Sequence, residues 1–199
     1  MGDPPGTAVL VVDLQVGVLR GCHDPGGTVA RTERLVERAR AERAPVVWVL
    51  DHSDFEPGTP DWQLPAPLRA LPGEPVIRKQ YRDAFCETDL GPALRALGVS
   101  HLAIGGSQSD YCVRTTAQRA AQEGYDVTLI GDCHTTCDQE YGGVIITGEQ
   151  AVAHTNRYWQ GYRWPGGRFA VARHDEVPLS GAGATRRSWC TNPPLRDRK

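Results

Sequence analysis

The sequence predicts an α/β fold: a single doubly wound domain with a six-stranded, mostly parallel sheet and helices on both faces. Short apolar runs alternate along the chain with segments of helical periodicity, which is the pattern of repeated βαβ units. The first run, residues 8–15, is apolar almost throughout, and such a strand is typical of a parallel sheet covered on both sides. With a strand order of 3-2-1-4-5-6, a crevice opens between strands one and four at their carboxyl ends.

Turn and capping residues set the predicted limits of each element. Thr28 or Thr32 can cap the first helix, and Thr88 can cap the second, which Gly98 ends. The third helix contains Cys112 and runs to about residue 123. The predicted strands are residues 8–15, 45–51, a short strand within 75–85, 101–105, 126–130 and 168–172, and the other helices end near residues 43, 97 and 158.

Two segments lack a regular pattern. Residues 54–75 contain six prolines and Trp62, so they cannot form a regular helix. They either lie over the carboxyl edge of the sheet as a lid or pocket wall, or form a plain surface excursion. Beyond residue 177 no periodicity remains, so we predict a domain of residues 1–177 and an irregular tail of residues 178–199, in which Trp189 can anchor onto the body or a neighbour.

Composition and charge place the chain among ordinary globular proteins. A length of 199 residues fits one α/β domain, with 40% hydrophobic and 23% charged residues. The net charge of -2 gives no electrostatic attraction to nucleic acid or an anionic membrane, and no apolar run approaches the length of a transmembrane helix. The first residues do not resemble a signal peptide, so we expect a cytoplasmic protein whose six cysteines are thiols.

Three of the predicted strands lead into chemically active side chains. Asp13 ends the first strand, Lys79 ends the third, and Cys112 follows the fourth in the first turn of a helix. Because the carboxyl ends of parallel strands meet at one edge, we expect these three residues to lie together at the crevice. The exposed N–H groups of a helix start favour an anion, which biases Cys112 towards thiolate. A buried core cysteine and a structural Asp–Lys ion pair are the alternatives.

The sequence around these residues resembles that of a known superfamily. Asp13 lies in VVDLQ, Lys79 in IRKQYRDAF and Cys112 in SDYCVRTTA. The three motifs, in this order, are similar to the Asp-Lys-Cys triad of the isochorismatase-like cysteine hydrolase superfamily, whose members include nicotinamidases, N-carbamoyl and ureido amidohydrolases and streptothricin hydrolase. The resemblance runs from about residue 8 to about residue 177.

The resemblance implies hydrolysis of a carbon–nitrogen bond, other than a peptide bond, through a thioester acyl-enzyme. Asp13 then takes the proton of Cys112 and returns it to the departing nitrogen, while Lys79 keeps a positive charge beside both. The resemblance also implies an oxyanion hole made by the backbone N–H groups of Gln108 and Cys112, with a cis peptide bond between Ser107 and Gln108.

Further residues near the three motifs are candidates for the substrate pocket, although each can equally belong to the core. Aromatic walls suit a planar or cyclic substrate. The candidates are Gln15, His52, Trp62, Tyr81, Phe85 and Tyr111.

The sequence gives no support for a metal or another cofactor. Asp51 and His52 are adjacent, whereas the resemblance to nicotinamidases would require an Asp-x-His and a further histidine. Cys133, His134 and Cys137 lack the paired Cys-x-x-Cys units of structural zinc sites. We therefore predict no metal site and no cofactor.

Two other functions remain open. Isochorismatase-type vinyl ether hydrolysis occurs on the same fold without the cysteine, so Cys112 argues against it. A non-catalytic binding protein on a retained fold is the second alternative. The expected partner is a small molecule, which can be a primary amide, an N-carbamoyl compound, a ureide or a streptothricin-type lactam, and the resemblance favours a homodimer or homotetramer.

Overall fold

A computed structural model describes residues 6–179 of the chain. The strands within this range are β1 (Gly6–Val12), β2 (Val46–Asp51), β3 (Val76–Lys79), β4 (Val99–Ser107), β5 (Asp126–Thr135), β6 (Gln139–Tyr141), β7 (Val144–Ile146) and β8 (Phe169–Ala172). Six of them form a parallel sheet in the order β3-β2-β1-β4-β5-β8. The predicted fold class and strand order are confirmed, with β8 as the sixth strand of the sheet.

The first helix begins earlier than the sequence predicted. The helices of the described range are α1 (Pro25–Ala41), α2 (Leu90–Ala96), α3 (Arg114–Gln122) and α4 (Gly148–Gln160), and a π-helical turn (Ser109–Val113) precedes α3. Asp24 caps α1, because its carboxylate accepts a hydrogen bond from the Gly27 N–H, and a proline follows it where a missing N–H costs nothing. The prediction that Thr28 or Thr32 caps this helix is wrong, since both lie inside it and are buried.

Two other helix starts show how local hydrogen bonds set the element limits. The N-cap of α2 is Asp89 rather than Thr88, although the Thr88 hydroxyl accepts a hydrogen bond from the Leu90 N–H at 3.2 Å. In α4, Thr147 and Gln150 form a reciprocal capping box, with each side chain accepting from the backbone N–H of the other. This cap fixes the start of α4 at Gly148.

Two hydrophobic clusters cover the sheet, one on each face. Alternate residues of β1 belong to different clusters: Leu10 and Val12 to the first, Val9 and Val11 to the second. Helices α2, α3 and α4 contribute to the first cluster and α1 to the second. The expectation that the first strand is covered on both sides is confirmed.

β1 and β4 approach each other closely where the strand order reverses. Gly106 has a φ of +139°, and a Cβ built on it would lie 1.9 Å from the Val12 carbonyl oxygen. Only glycine permits this conformation and this approach. Asp13 directly follows Val12 and Cys112 lies shortly after Gly106, so the close approach brings the two loops to the same point at the carboxyl edge.

The chain after β4 differs from the prediction in two places. β5 extends to Thr135 rather than to residue 130, with a shift in its register against β4 between Ile104 and Gly106. β6 and β7 then form an antiparallel hairpin that is absent from the elements predicted by the sequence. The apolar side chains of this hairpin are exposed, which explains why no buried-strand pattern marked it; they are Tyr141, Val144, Ile145 and Ile146.

Residues 54–75 form no helix, as predicted, and they form no strand either. Their backbone binds the loop between β1 and α1, through hydrogen bonds of 2.9 Å from the Val16 N–H to Gln63 O and from the Gly17 N–H to Asp61 O. This segment therefore packs beside the carboxyl end of β1. Its closure over a substrate stays a prediction.

Most of the predicted tail, including Trp189, lies outside the described residues, which end at Leu179. Leu179 is itself buried in the second hydrophobic cluster, to which α1 also contributes. None of the described helices combines the length and the apolar character that a membrane span requires.

Candidate active site

Asp13, Lys79 and Cys112 lie together at the carboxyl edge of the sheet. Asp13 directly follows β1, Lys79 is the last residue of β3, and Cys112 lies in the π-helical turn after β4. Lys79 Nζ is 2.7 Å from Asp13 Oδ2 and 3.4 Å from Cys112 Sγ, and all three residues are buried. The structure therefore brings together the three residues that the sequence singled out, and their catalytic roles stay predictions.

The environment of Asp13 suits a group that exchanges protons. Burial raises the pKa of Asp13 to about 6, although Lys79 and Cys112 oppose the shift. Both carboxylate oxygens are buried and accept no well-aligned hydrogen bond from the described residues, so the contact with Lys79 is ionic. A carboxylate with a free acceptor position and a pKa near neutrality can take up and return a proton at physiological pH.

A second carboxylate, that of Asp51 at the end of β2, shares the Lys79 ammonium. Asp51 Oδ2 is 3.2 Å from Lys79 Nζ, and its Oδ1 accepts hydrogen bonds from the Ser53 and Asp54 N–H groups at 2.8 and 3.1 Å. Burial acts to raise the pKa of Asp51, but these N–H groups and Lys79 outweigh it and lower the pKa. In the sequence Asp51 is notable only as a possible metal ligand. Its place at the end of a strand that neighbours the strand of Lys79 in the predicted order is the signal for this contact, and the observed register pairs the two residues.

Lys79 is a buried cation between two carboxylates. Burial acts to lower its pKa, but the charges of Asp13, Cys112 and Asp51 outweigh burial and raise the pKa above its ordinary value. Lys79 therefore remains protonated at neutral pH. The two carboxylates offset the desolvation penalty of burying this charge, whereas the penalty of an unpaired ammonium would remain uncompensated.

Cys112 is a thiol in the resting site. Burial and the charge of Asp13 raise its pKa above the ordinary value, while Lys79 and Arg82 oppose the shift, the latter with its Nη1 3.8 Å from Sγ. The expectation that the helix start biases Cys112 towards thiolate is wrong for the resting site, because burial outweighs the nearby positive charges. At neutral pH the sulfur therefore carries its proton, so a role for Cys112 as a nucleophile would require a nearby base.

The turn between β4 and Cys112 contains the cis peptide bond expected between Ser107 and Gln108. Gln108 is extended, and its carbonyl oxygen accepts hydrogen bonds from the Tyr111 and Val113 N–H groups at 3.1 and 3.2 Å. These bonds fix the start of the helical turn that carries the cysteine. The assignment of the Gln108 and Cys112 N–H groups to an oxyanion hole stays a prediction.

A buried hydrogen-bond chain, which sequence reasoning missed, supports this turn. Ser109 Oγ lies 2.7 Å from His134 Nδ1, and His134 Nε2 lies 3.0 Å from Asn156 Oδ1. Because Asn156 Nδ2 donates to the Gly131 carbonyl at 2.9 Å, its Oδ1 accepts from His134, and His134 Nδ1 accepts from the Ser109 hydroxyl. Burial lowers the pKa of His134, so the ring stays neutral. These hydrogen bonds connect the turn that carries Cys112 to β5 and α4.

Three of the predicted pocket residues lie at the surface of the carboxyl edge. Tyr111 is partly exposed, and the Arg82 guanidinium lies 5.0 Å from the centroid of its ring. Tyr81 is exposed, and His52 is half-buried with its Nε2 3.1 Å from Gln80 Nε2. Because the Arg82 guanidinium also has its Nη1 3.8 Å from Cys112 Sγ, Tyr111 borders the site. A pocket role for Tyr81 and His52 stays a prediction.

The other three pocket candidates have different surroundings. Gln15 is fully buried and binds the Asp51 backbone, donating to its carbonyl at 2.9 Å and accepting from its N–H at 2.8 Å. Phe85 packs against the first core cluster, and Trp62 lies under the Arg78 guanidinium at 5.5 Å. Gln15 thus holds the ends of β1 and β2 together, with both ends of its amide already occupied by Asp51.

The candidate metal ligands of the sequence are separated in the structure. Cys133 packs in the second core cluster, His134 binds Ser109, and Cys137 contacts Cys22. A different group, formed by Asp132, Cys133 and His174, has ligand atoms within 4.8 Å of one another.

The contacts of this second group do not require a cation. Asp132 Oδ2 lies 2.8 Å from His174 Nδ1 and 3.5 Å from the Arg173 guanidinium, so its charge is already paired. Burial raises the pKa of the Cys133 thiol to about 12, which opposes the thiolate that a metal would bind. We assign no metal to this group.

Comparison with known proteins relates the three motifs around Asp13, Lys79 and Cys112 to one protein family. The sequence profile of the isochorismatase domain matches residues 7–146, which include Asp13, Lys79 and Cys112. The chain belongs to the isochorismatase family. An isochorismatase from Pseudomonas putida KT2440 has the same fold, with a TM-score of 0.80 and 28% identity over 88% of this chain and 93% of its own.

Relatives within the isochorismatase family include enzymes that act on carbon–nitrogen bonds by name. A streptothricin hydrolase from Streptomyces noursei is 39% identical over 143 residues, which are 67% of this chain and 56% of that protein. A maleamate amidohydrolase from Pseudomonas putida is 29% identical over 136 residues, which are 65% of this chain and 61% of that protein. The chain thus spans little more than half the length of these relatives.

Proposed function

We propose that this isochorismatase-family chain is a cysteine hydrolase that cleaves a carbon–nitrogen bond, other than a peptide bond, of a small molecule through a thioester. The observation that carries the proposal is the contact of one buried ammonium, Lys79 Nζ, with Asp13 Oδ2 at 2.7 Å and with Cys112 Sγ at 3.4 Å. The names of relatives, which include streptothricin hydrolase, maleamate amidohydrolase and ureidoacrylate amidohydrolase, support the reaction class.

In the first step Cys112 attacks the substrate carbonyl while Asp13 takes the thiol proton. The raised pKa of Cys112 means that a thiol meets the substrate, and the pKa of about 6 for Asp13 makes it an ionised base at pH 7. Lys79 remains positive beside both groups, so it offsets the negative charge that develops on sulfur as the proton leaves.

Attack places a negative charge on the carbonyl oxygen. The N–H groups of Gln108 and Cys112 are the proposed donors to it, and a fixed turn provides them without reorganisation. Collapse of the intermediate expels the nitrogen, to which Asp13 returns the proton. A water molecule that Asp13 deprotonates then cleaves the thioester and frees Cys112.

The mouth of the site carries a cation that bears on substrate choice. Arg82 lies over the Tyr111 ring with its Nη1 3.8 Å from Cys112 Sγ, and it is exposed. Its remaining N–H donors can bind the oxygen atoms of an incoming amide, carbamoyl compound, ureide or lactam. A carboxylate on the substrate beside that group would strengthen this contact.

We further propose that the chain assembles as a homodimer or homotetramer and that residues 1–177 form the catalytic domain.

A mass-spectrometric screen for the gain of one water tests the reaction. The substrates are primary amides, N-carbamoyl compounds, ureides and lactams that include streptothricin. The unsubstituted protein is expected to hydrolyse one class, Cys112→Ala none, and an acid-quenched sample to contain the acyl-enzyme. Cys86→Ala is the matched control, because Cys86 is a half-buried cysteine outside the Asp13–Lys79–Cys112 contacts and should leave turnover unchanged.

The other outcomes separate the alternatives. Turnover by Cys112→Ala at the unsubstituted rate would contradict the nucleophile assignment. Binding of a substrate class without turnover by any variant would favour a non-catalytic binding protein, and hydrolysis of a vinyl ether instead of an amide would favour isochorismatase-type chemistry.

A further inference from the structure

Two cysteines that take no part in the proposed reaction have their sulfur atoms 2.9 Å apart. Cys22 lies in the loop between β1 and α1, and Cys137 follows β5. The separation exceeds the length of a disulfide bond, about 2.05 Å, so the two side chains are free thiols in contact. Nothing in the sequence pairs Cys22 with Cys137, and only the fold brings them together.

The backbone pairing at this contact is compatible with a disulfide. Cys22 and Cys137 face each other in an antiparallel bridge, and the neighbouring His23 N–H donates to the Thr136 carbonyl at 2.9 Å. This bond makes the cysteines a non-hydrogen-bonded pair, in which the Cα atoms lie about 4.5 Å apart. Disulfides join Cα atoms that are about 4.4 to 6.8 Å apart, so this type of pair falls within the range that a disulfide can span.

We propose that Cys22 and Cys137 are an oxidation site that forms a reversible disulfide, separate from the nucleophile Cys112. With a peroxide as the oxidant, one thiol sulfur first forms an S–O bond as the O–O bond breaks, and one water leaves. The second sulfur then displaces the oxygen, so that the S–S bond forms, the S–O bond breaks and a second water leaves. The two thiols lose two electrons and two protons, and the peroxide is reduced to two waters.

The two cysteines have different roles in the proposed oxidation. Cys137 is half-buried and therefore meets the peroxide first, whereas Cys22 is buried. Burial and the contact with Cys137 raise the pKa of Cys22 to about 12, which slows its own oxidation. Cys22 is the resolving thiol, and the short distance between the sulfur atoms compensates for its low thiolate content.

The disulfide would link segments on either side of the turn that leads to Cys112. Gln108 Nε2 donates to Cys137 Sγ at 3.5 Å, and Ser107 Oγ lies 4.0 Å from Cys22 Sγ. The two cysteines are 115 positions apart, so their bond restricts a large part of the unfolded chain. We expect oxidation to raise the melting temperature by roughly 5–15 °C.

Peptide mapping of the full chain tests the proposal without any substrate. The reduced protein is treated with hydrogen peroxide, the remaining thiols are alkylated, and the protein is digested without reductant. The expected product is a peptide pair linked through Cys22 and Cys137 that dithiothreitol separates, together with the rise in melting temperature. Cys137→Ser should lose the link and the rise, and the control Cys86→Ser should keep both.

Two results would overturn the proposal. One is a map in which Cys22 and Cys137 are still alkylated after peroxide treatment, or in which either is joined to another cysteine. The other is a peroxide-induced rise in melting temperature that persists in Cys137→Ser. Because the map of the unsubstituted protein needs neither a variant nor turnover, a failure of the hydrolase proposal would leave this test intact.

Discussion

Replacing Lys79 with methionine removes a buried cation from between two carboxylates while nearly preserving the volume of the side chain. Lys79 Nζ lies 2.7 Å from Asp13 Oδ2 and 3.2 Å from Asp51 Oδ2, and the lysine side chain has no exposed surface. Breaking a buried pair by removing one partner leaves an uncompensated charge, which typically costs about 3–5 kcal/mol. We therefore expect Lys79→Met to lower the free energy of unfolding at pH 7 by about 3–5 kcal/mol.

The loss should depend on pH in a defined direction. Burial already raises the folded-state pKa of Asp13 from 3.8 to about 6, and the loss of the Lys79 ammonium raises it further. A carboxyl group whose pKa is raised on folding loses stability as the pH rises between its unfolded and folded pKa, by about 1.4 kcal/mol per pH unit. Lowering the pH from 7 to 5 therefore restores about 1.4 kcal/mol of stability to the unsubstituted protein, whose Asp13 has a folded pKa of about 6, and a larger amount to the variant, whose Asp13 has a higher folded pKa.

Urea unfolding at pH 7 and pH 5 measures both effects. The matched control is Arg119→Met, because Arg119 pairs with Glu123 over the same 2.7 Å but the two side chains are 46% and 37% exposed. Its expected cost is below about 1 kcal/mol at either pH. Equal losses in the two variants, or a Lys79→Met deficit that does not narrow at pH 5, would refute the reasoning.

Three more predictions concern the base, the strand approach and the hydrogen-bond chain. Below pH 6, kcat/KM should fall about tenfold per pH unit because Asp13 must be ionised, and Asp13→Asn should lower kcat by about 10²–10⁴; a flat acid limb would contradict this. Gly106→Ala should cost about 3 kcal/mol or more in urea unfolding, since its Cβ would lie 1.9 Å from a β1 carbonyl, whereas Gly26→Ala meets nothing within 4 Å and should change little. Ser109→Ala should cost about 1–3 kcal/mol by leaving buried His134 Nδ1 unpaired, and an unchanged midpoint would exclude that bond as a support.

Strand order and the meeting of the three motifs could be predicted from the sequence because both follow from the parallel sheet. The apolar runs identify strands buried on both faces, and the carboxyl ends of such strands share one edge. A residue at the end of a strand is therefore placed by the topology alone, as Asp13 and Lys79 are. The same rule should have paired Asp51 with Lys79, since the strands that carry them are neighbours in the predicted order.

Features that depend on side-chain direction could not be predicted in this way. Three residues before or within the first turns of α1 had capping side chains, and only the observed backbone shows that Asp24 is the cap. The Ser109–His134 contact and the Cys22–Cys137 contact join segments that are distant in the chain, through side chains with no local signal. The resting state of Cys112 also depends on its burial, which a helix-start argument does not contain.

The role of Asp51 follows from the balance of charges around Lys79. The Lys79 ammonium contacts two carboxylates, those of Asp13 and Asp51. Hydrogen bonds from the Ser53 and Asp54 N–H groups stabilise the ionised form of Asp51. Burial raises the pKa of Asp13 more than Lys79 lowers it, and the charge of Asp51 adds a smaller upward contribution. An ammonium paired with Asp13 only would favour its carboxylate more strongly and make it a weaker base towards a thiol. Burial therefore brings the pKa of Asp13 to about 6 with a small contribution from Asp51, close to the value at which a group can both accept and return a proton, as the proposed reaction requires.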